Sequence, residues 1–402
     1  MLMPVRLGLG PAVLFLFSCI GIYLASARHR TARLFAGSFY FYIVAYGVWS
    51  LGLILWRGEP ILDNRQIGYT ALLAVLAFAG PGMVLVRDPL RAYVLGSRIG
   101  TVLAAVAAIG MAFFSEDRIG IGGNAAVFAF ASGVGAISAG IPLRNAPRFL
   151  PNGPQWLLLG VVAAMASGTR ATIVVLPLVA LIEIVIYLRR CSPRQQISAA
   201  AGAALAAIAV AGPASSVISE RFVGMIQYYD TGDSTKWEDK FSADIRLAMW
   251  QGAVKVIAQA PIIGVGASAK MDMVRQAAGP QGQMLDGFRH VHNTLLDELL
   301  NDGVVGLALL LAAFLSIFAY LWHAATEAGL RRAMLYFAVL CTSYGMLHNP
   351  LLHEMTISSV MFFFAALNAA ASRRMMAWRR RPASAGPERD PRLWSGTAPF
   401  AG

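Results

Sequence analysis

Charge is scarce in this sequence. Asp, Glu, Lys and Arg make up only 13% of its 402 residues, about half the share of a soluble globular chain. That shortage, beside 57% apolar residues, excludes water as the main solvent. Cysteine is rarer still, with three residues. Cys19 and Cys341 fall in apolar runs and Cys191 in a basic loop, so neither a disulfide framework nor a Cys-built metal site follows. Acidic residues number 21 against 33 basic ones, a net charge of +12. The excess invites a nucleic-acid reading, but the basic residues sit in short loops on alternate sides of apolar runs, as membrane topology requires. No repeat, inverted or parallel, is visible along the chain.

The apolar residues fall into runs long enough to cross a hydrocarbon core of roughly 30 Å. Eleven spans are expected, at 7–27, 35–56, 67–86, 93–114, 121–142, 155–168, 171–188, 197–217, 303–323, 333–348 and 355–371. They must be helices, because lipid offers no partner to a bare peptide group. Trp49, Trp56, Trp156 and Trp322 lie near span ends, where amphipathic rings favour the interface. Ala25-Ser26-Ala27 has the look of a cleavage site, but the single Arg6 and the long apolar run favour a retained first span.

Loop charges set the orientation. One set of loops carries Arg28, Arg30, Arg33, Arg87, Arg91, Arg98, Arg144, Arg148, Arg189, Arg190, Arg194, Arg331 and Arg332, and ends in the tail that begins Arg373-Arg374. The opposite set has only Arg6, Arg57, Arg65, Arg118 and Arg170, offset by Glu59, Asp63, Glu116 and Asp117. The basic set is expected in the cytoplasm, which puts the N-terminus outside and the C-terminus inside. The organisation that follows is 1–217 N-terminal spans, 218–302 an outer loop, 303–372 C-terminal spans and 373–402 a basic tail that reads as disordered from about residue 382.

Residues 218–302 are the one long polar insert, with eight Lys or Arg against eleven Asp or Glu. The pattern DIRLAMWQGAVKVIAQA predicts a helix with Asp244 as its N-cap, lying on a membrane surface or packed on the bundle with its Trp250. Ile262-Ile263-Gly264-Val265-Gly266 lacks the GxGxxG spacing of a nucleotide fold and reads as a tight turn. A second helix begins near His292-Asn293, runs through TLLDELLNDG, and leads past Gly303 and Gly306 into the next span. Arg170, Arg246 and His292 are thus expected on one side of the membrane.

At these residues the chain resembles the O-antigen ligase and polymerase superfamily, most of all an O-antigen ligase. The likeness rests on SGTR at 167–170, RLAMW followed by PIIGVG at 246–266, and HVHN at 290–293 followed by GVVG at 303–306. The family shows an outer-loop Arg motif and a His-Asn pair nine residues before GxxG, the gap found between Asn293 and Gly303. Arg246 matches the start of the Arg motif and its closing aromatic fits more loosely. The resemblance implies an all-α integral membrane protein of about 11–12 transmembrane helices with one large periplasmic loop containing helices, a GT-C-like glycosyltransferase. Family members usually have twelve spans with both termini inside, where eleven are counted here. They are metal-independent enzymes of the bacterial inner membrane that take a glycan from undecaprenyl pyrophosphate. The implied partners are that donor, a lipid A-core acceptor and the bilayer, with no nucleic acid and no cofactor.

The chemistry so implied assigns roles. An acceptor hydroxyl needs a base, and His292, with an ordinary pKa near 6.5, is the candidate; His290 is the reserve, and Asn293 a secondary site residue. The departing pyrophosphate needs fixed positive charge, which suits the planar guanidinium forks of Arg170, Arg246 and Arg289. As plain structure, the same residues would be a helix-start His, an interfacial Arg that snorkels to water and a first-turn Arg opposing the helix dipole. A metal site of His290, His292, His348 and His353 is the weaker alternative: HVH is not a usual zinc spacing, and His353-Glu354 lacks the second His of HExxH. Glu183, alone in a span, is either functional or paired with a polar neighbour. A polymerase would run the same chemistry with a carrier-linked acceptor. A transporter of lipid-linked sugar would be expected to show repeats and several mid-membrane charges.

Overall fold

The structure is a computed structural model that describes residues 9–26, 37–60, 64–112, 124–189 and 238–379. Among these residues every regular element is helical. The first eight helices are α1 (Leu9–Ser26), α2 (Gly37–Trp56), α3 (Arg65–Ala77), α4 (Ala79–Met83), α5 (Pro89–Ala112), α6 (Ala125–Ala139), α7 (Gln155–Ser167) and α8 (Arg170–Leu188). The remainder are α9 (Glu238–Ile257), α10 (Lys270–Ala277), α11 (Thr294–Ala324), α12 (Ala328–Leu347) and α13 (Glu354–Arg379), with short 3-10 turns at Gly279–Leu285 and Pro350–Leu352. The protein is an all-α integral membrane protein. The expected span 197–217 and residues 218–237 of the insert lie outside the described residues.

Among the described residues six helical stretches are long and apolar enough to cross a membrane: Gly37–Trp56, Gln66–Met83, Pro89–Met111, Ala171–Leu188, Thr294–Ala324 and Glu354–Met376. The expected spans in α6 and α7 are apolar but shorter, and α1 is an apolar helix of 18 residues. In α12 the paired Arg331-Arg332 near the start dilutes an otherwise apolar helix. The expected span 67–86 is interrupted at Phe78, where α3 gives way to α4.

The bundle core runs through α2, α6, α8, α11, α12 and α13, with Phe130, Leu176, Phe337 and Phe363 all buried. Phe337 stacks on Phe363 with ring centroids 4.0 Å apart. Glu183 is not a lone mid-span charge. The Arg332 guanidinium donates to it, and so does the Tyr336 hydroxyl at 2.9 Å, tying α8 to α12. The two helices run antiparallel, with Leu176 and Leu340 facing each other across Gly133. Arg170 at the start of α8 therefore lies at the end where α12 finishes.

Contacts sort the loops into the two sets that their charges define. At one end Arg373 donates to the Val84 and Val86 carbonyls at 2.7 and 2.9 Å, and Arg374 meets Glu327 at 3.6 Å. Arg98 belongs to this end but is not a loop charge: it lies within α5, fully buried. It donates to the Ala139, Ile141 and Leu150 carbonyls and to Asn152 Oδ1, with Trp156 beneath its guanidinium. A buried guanidinium has to satisfy its donors, and the free carbonyls closing α6 supply them. At the other end residues 57–60, the α12–α13 connection and the described part of the insert meet.

The insert has a hydrophobic core of its own, built from Met249, Ala253, Val256, Val274, Leu285, Val291 and Leu300. The prediction for α9 needs one correction. The helix starts at Glu238, so Asp244 is an exposed residue inside it rather than its N-cap; Glu and Lys in the preceding turns are good helix formers. Its apolar face, Trp250 included, packs on α10 and on the first turns of the bundle helix α11, the second of the two placements expected for it.

Candidate functional site

The site is built where α11 breaks. Asn293 caps the helix, its side-chain oxygen accepting from Leu295 N and Leu296 N at 3.0 and 3.1 Å while its amide donates to the Met346 carbonyl at 3.3 Å. Ten residues on, Gly303 leaves helical geometry, with φ 68° and ψ −167°. A Cβ there would lie 2.1 Å from the Ile262 carbonyl oxygen. The turn after Pro261 threads into the break: Val304 N donates to Pro261 O at 2.9 Å, and Val265 N to Leu300 O at 2.7 Å. The two glycine motifs are thus halves of one joint. Arg57 locks it, donating to Asn301 O and Gly264 O at 3.1 Å each and to Ile263 O. Glu59 accepts from Ser268 Oγ at 2.8 Å.

The HVHN segment is fastened over this joint. Trp250 on α9 donates its indole N–H to the Val291 carbonyl at 2.9 Å, so the aromatic of the Arg motif holds the histidine segment. Arg275 donates to Phe288 O at 3.2 Å. Val291 is fully buried, and His290 and His292 flank it with their rings 4.3 Å apart. His348, from the α12–α13 connection, brings a third imidazole to 5.7 Å from His292. His292 itself has φ 47°, the only positive φ outside glycine among the described residues.

His292 Nδ1 is buried and accepts or donates no hydrogen bond. Burial pushes the His292 pKa down to about 3, helped by the charges of His290, His348 and Arg246 and opposed by Asp297. Its imidazole is neutral at working pH. Burial also lowers His290, where Asp297 pulls up and Lys270 down.

His290, His292 and Arg289 line one cavity of about 540 Å³, together with Gln66, Lys270 and Arg275. Of the predicted site residues, the structure brings these three together. Arg246 is half-buried on α9, close enough to His292 for its charge to act there. Asn293 spends its side chain on the cap. Arg170 opens α8 at the same end, after Gly168 in left-handed conformation with φ 64°; its side chain lies outside the described residues. His353 contacts Glu354, at 3.7 Å, rather than the other imidazoles. Among the described residues no group of three or more His, Cys, Asp or Glu is arranged to hold a metal ion.

Sequence reasoning missed Arg57, Lys270, Arg275 and Asp297. Arg57 acts through carbonyls more than 200 residues along the chain, and Lys270 and Asp297 meet each other across 27 residues, so no local pattern marks these three.

No curated protein matches the chain. Residues 156–311 match a family model described as O-Antigen ligase. The match begins on α7, takes in Arg170, the Arg246 helix and the histidine segment, and ends beyond the break in α11, so this region of the chain is similar to the O-antigen ligase domain.

Proposed function

We propose that the protein is an O-antigen ligase of lipopolysaccharide biosynthesis, where the family by itself implies ligase- or polymerase-type glycan transfer. In this reading it moves a finished glycan from undecaprenyl pyrophosphate to lipid A-core oligosaccharide on the periplasmic side of the inner membrane. The observation that carries it is the cavity: a neutral imidazole beside guanidinium groups, at the bundle end that the loop charges assign to the outside.

The acceptor oxygen bonds to the anomeric carbon as the bond from that carbon to the pyrophosphate oxygen breaks. The electron pair leaves with the lipid pyrophosphate, and the hydroxyl proton passes to His292. Because Nδ1 is buried, we assign Nε2 as the nitrogen that takes the proton. Arg246 and Arg289, with Arg170 at the same end, hold the pyrophosphate and the charge that grows on it. Base and positive charge both come from side chains, so transfer is expected to continue in EDTA.

The test is purified protein with carrier-linked donor and lipid A-core. His292→Ala should lose about 10²–10⁴-fold in rate while inserting and folding normally. Arg246→Ala should weaken donor use, with Lys restoring only part because the fork is lost. Normal transfer by His292→Ala at equal expression would rule out the base assignment. A deletion strain separates the acceptors: carrier-linked polymer with no O-chain on the core supports ligase, and a single repeat on the core means polymerase.

A further inference from the structure

Asp297 is a buried carboxylate beneath the cavity with three hydrogen-bond donors, and the mechanism above does not use it. It sits in the first turn of α11, 0% exposed. Its Oδ1 accepts from Lys270 Nζ at 2.8 Å and from the Val291 N–H at 3.3 Å. Its Oδ2 accepts from Asn349 Nδ2 at 3.1 Å. Val291 stands between His290 and His292, and Asn349 follows His348. Lys270, itself buried, is part of the cavity wall. A single carboxylate therefore fastens both segments that supply the three clustered imidazoles, and one cation of the wall as well.

We propose that Asp297 is the positioning residue of the site: it fixes the histidine segment and the His348 segment relative to each other, with Lys270 as its counter-charge. An ionised carboxylate suits this because it is acceptor-only and can meet several donors at once. Asparagine cannot replace it, since its NH₂ would face one of the three donors. The Lys270 pair alone does not explain the arrangement, because a buried ion pair contributes little net stability, whereas the bonds to Val291 and Asn349 fix where the imidazoles stand.

The two roles separate in the Asp297→Asn/Lys270→Gln double variant. If Asp297 only neutralises Lys270, removing both charges restores wild-type turnover and overturns the proposal. If it positions the imidazoles, kcat stays down by about 100-fold, the scale of a 1 Å misplacement, while the KM for donor moves only a few-fold. A raised KM with unchanged kcat would also overturn it. Asn349→Ala removes just the Oδ2 bond and guards against a double variant that fails to fold; it should lower kcat by a smaller factor at similar KM, and wild-type kcat there would count against the role. The inference rests on the proposed transfer reaction. An inactive wild-type protein would sink that reading and this one with it, whereas an active wild type with an equally active double variant would sink only the role of Asp297.

Discussion

At His292 the backbone lies at φ 47°, a left-handed conformation that non-glycine residues seldom adopt and that clusters at functional sites. The surroundings over-determine it: Val291 is held through both its N–H and its carbonyl, and Asn293 is committed to the cap. The ring is set between His290, His348 and the charge of Arg246, and burial with those neighbours lowers its pKa to about 3. A bound pyrophosphate brings negative charge to the same guanidiniums, which favours the protonated imidazole and raises that pKa. The acid limb of kcat, which reports the donor complex, should therefore lie at higher pH than the limb of kcat/KM, which reports the free enzyme. Coincident limbs would refute the charge argument. Stability follows the same sign. The unfolded imidazole protonates near 6.5 and the folded one only near 3, so this group lowers stability as pH falls through that window and not above it.

Among the elements, the broken helix α11 is decisive. Its sequence pattern reads as one helix running into a span, and Asn293 and Gly303 are both legible in it. Their purpose is not, because the partner of Gly303 is the carbonyl of Ile262, brought in by the turn after Pro261. Gly303→Ala should be costly. At φ 68° and ψ −167° the backbone lies in a region essentially reserved for glycine, which costs an L-residue about 1–3 kcal/mol, and the added Cβ would sit 2.1 Å from the Ile262 oxygen. Thermal unfolding in detergent should show a clear drop in Tm together with lost transfer, and an unchanged Tm would show that the joint yields. The start of α9 was misjudged for a simple reason. Asp244 is a good capping residue, but a cap is used only where the chain stops being helical, and the turns before it do not stop.

For the whole molecule the main question is which end faces which compartment. The short loops that meet at the cavity end carry few basic residues and the insert beside them is net acidic, whereas the other end is rich in Arg, including Arg373 and Arg374. In a cysteine-free background, a cysteine replacing the exposed Arg289 should react with an impermeant maleimide applied to intact, outer-membrane-permeabilised cells. One replacing Arg374, whose side chain is 46% exposed, should react only after the inner membrane is opened. The reverse pattern would place the cavity in the cytoplasm and end the ligase proposal. Apolar run length, the start of a helix near Asn293 and the spacing of the glycines were determined by sequence alone, because each depends on neighbours within a few residues. Arg98 as a buried clamp, Arg57 as the lock on the glycine joint, Glu183 as a tie to α12 and Asp297 as the hub of the histidines were decided only by the tertiary structure. In each case a charged group removed from water must find partners, and those partners come from segments that only folding brings alongside.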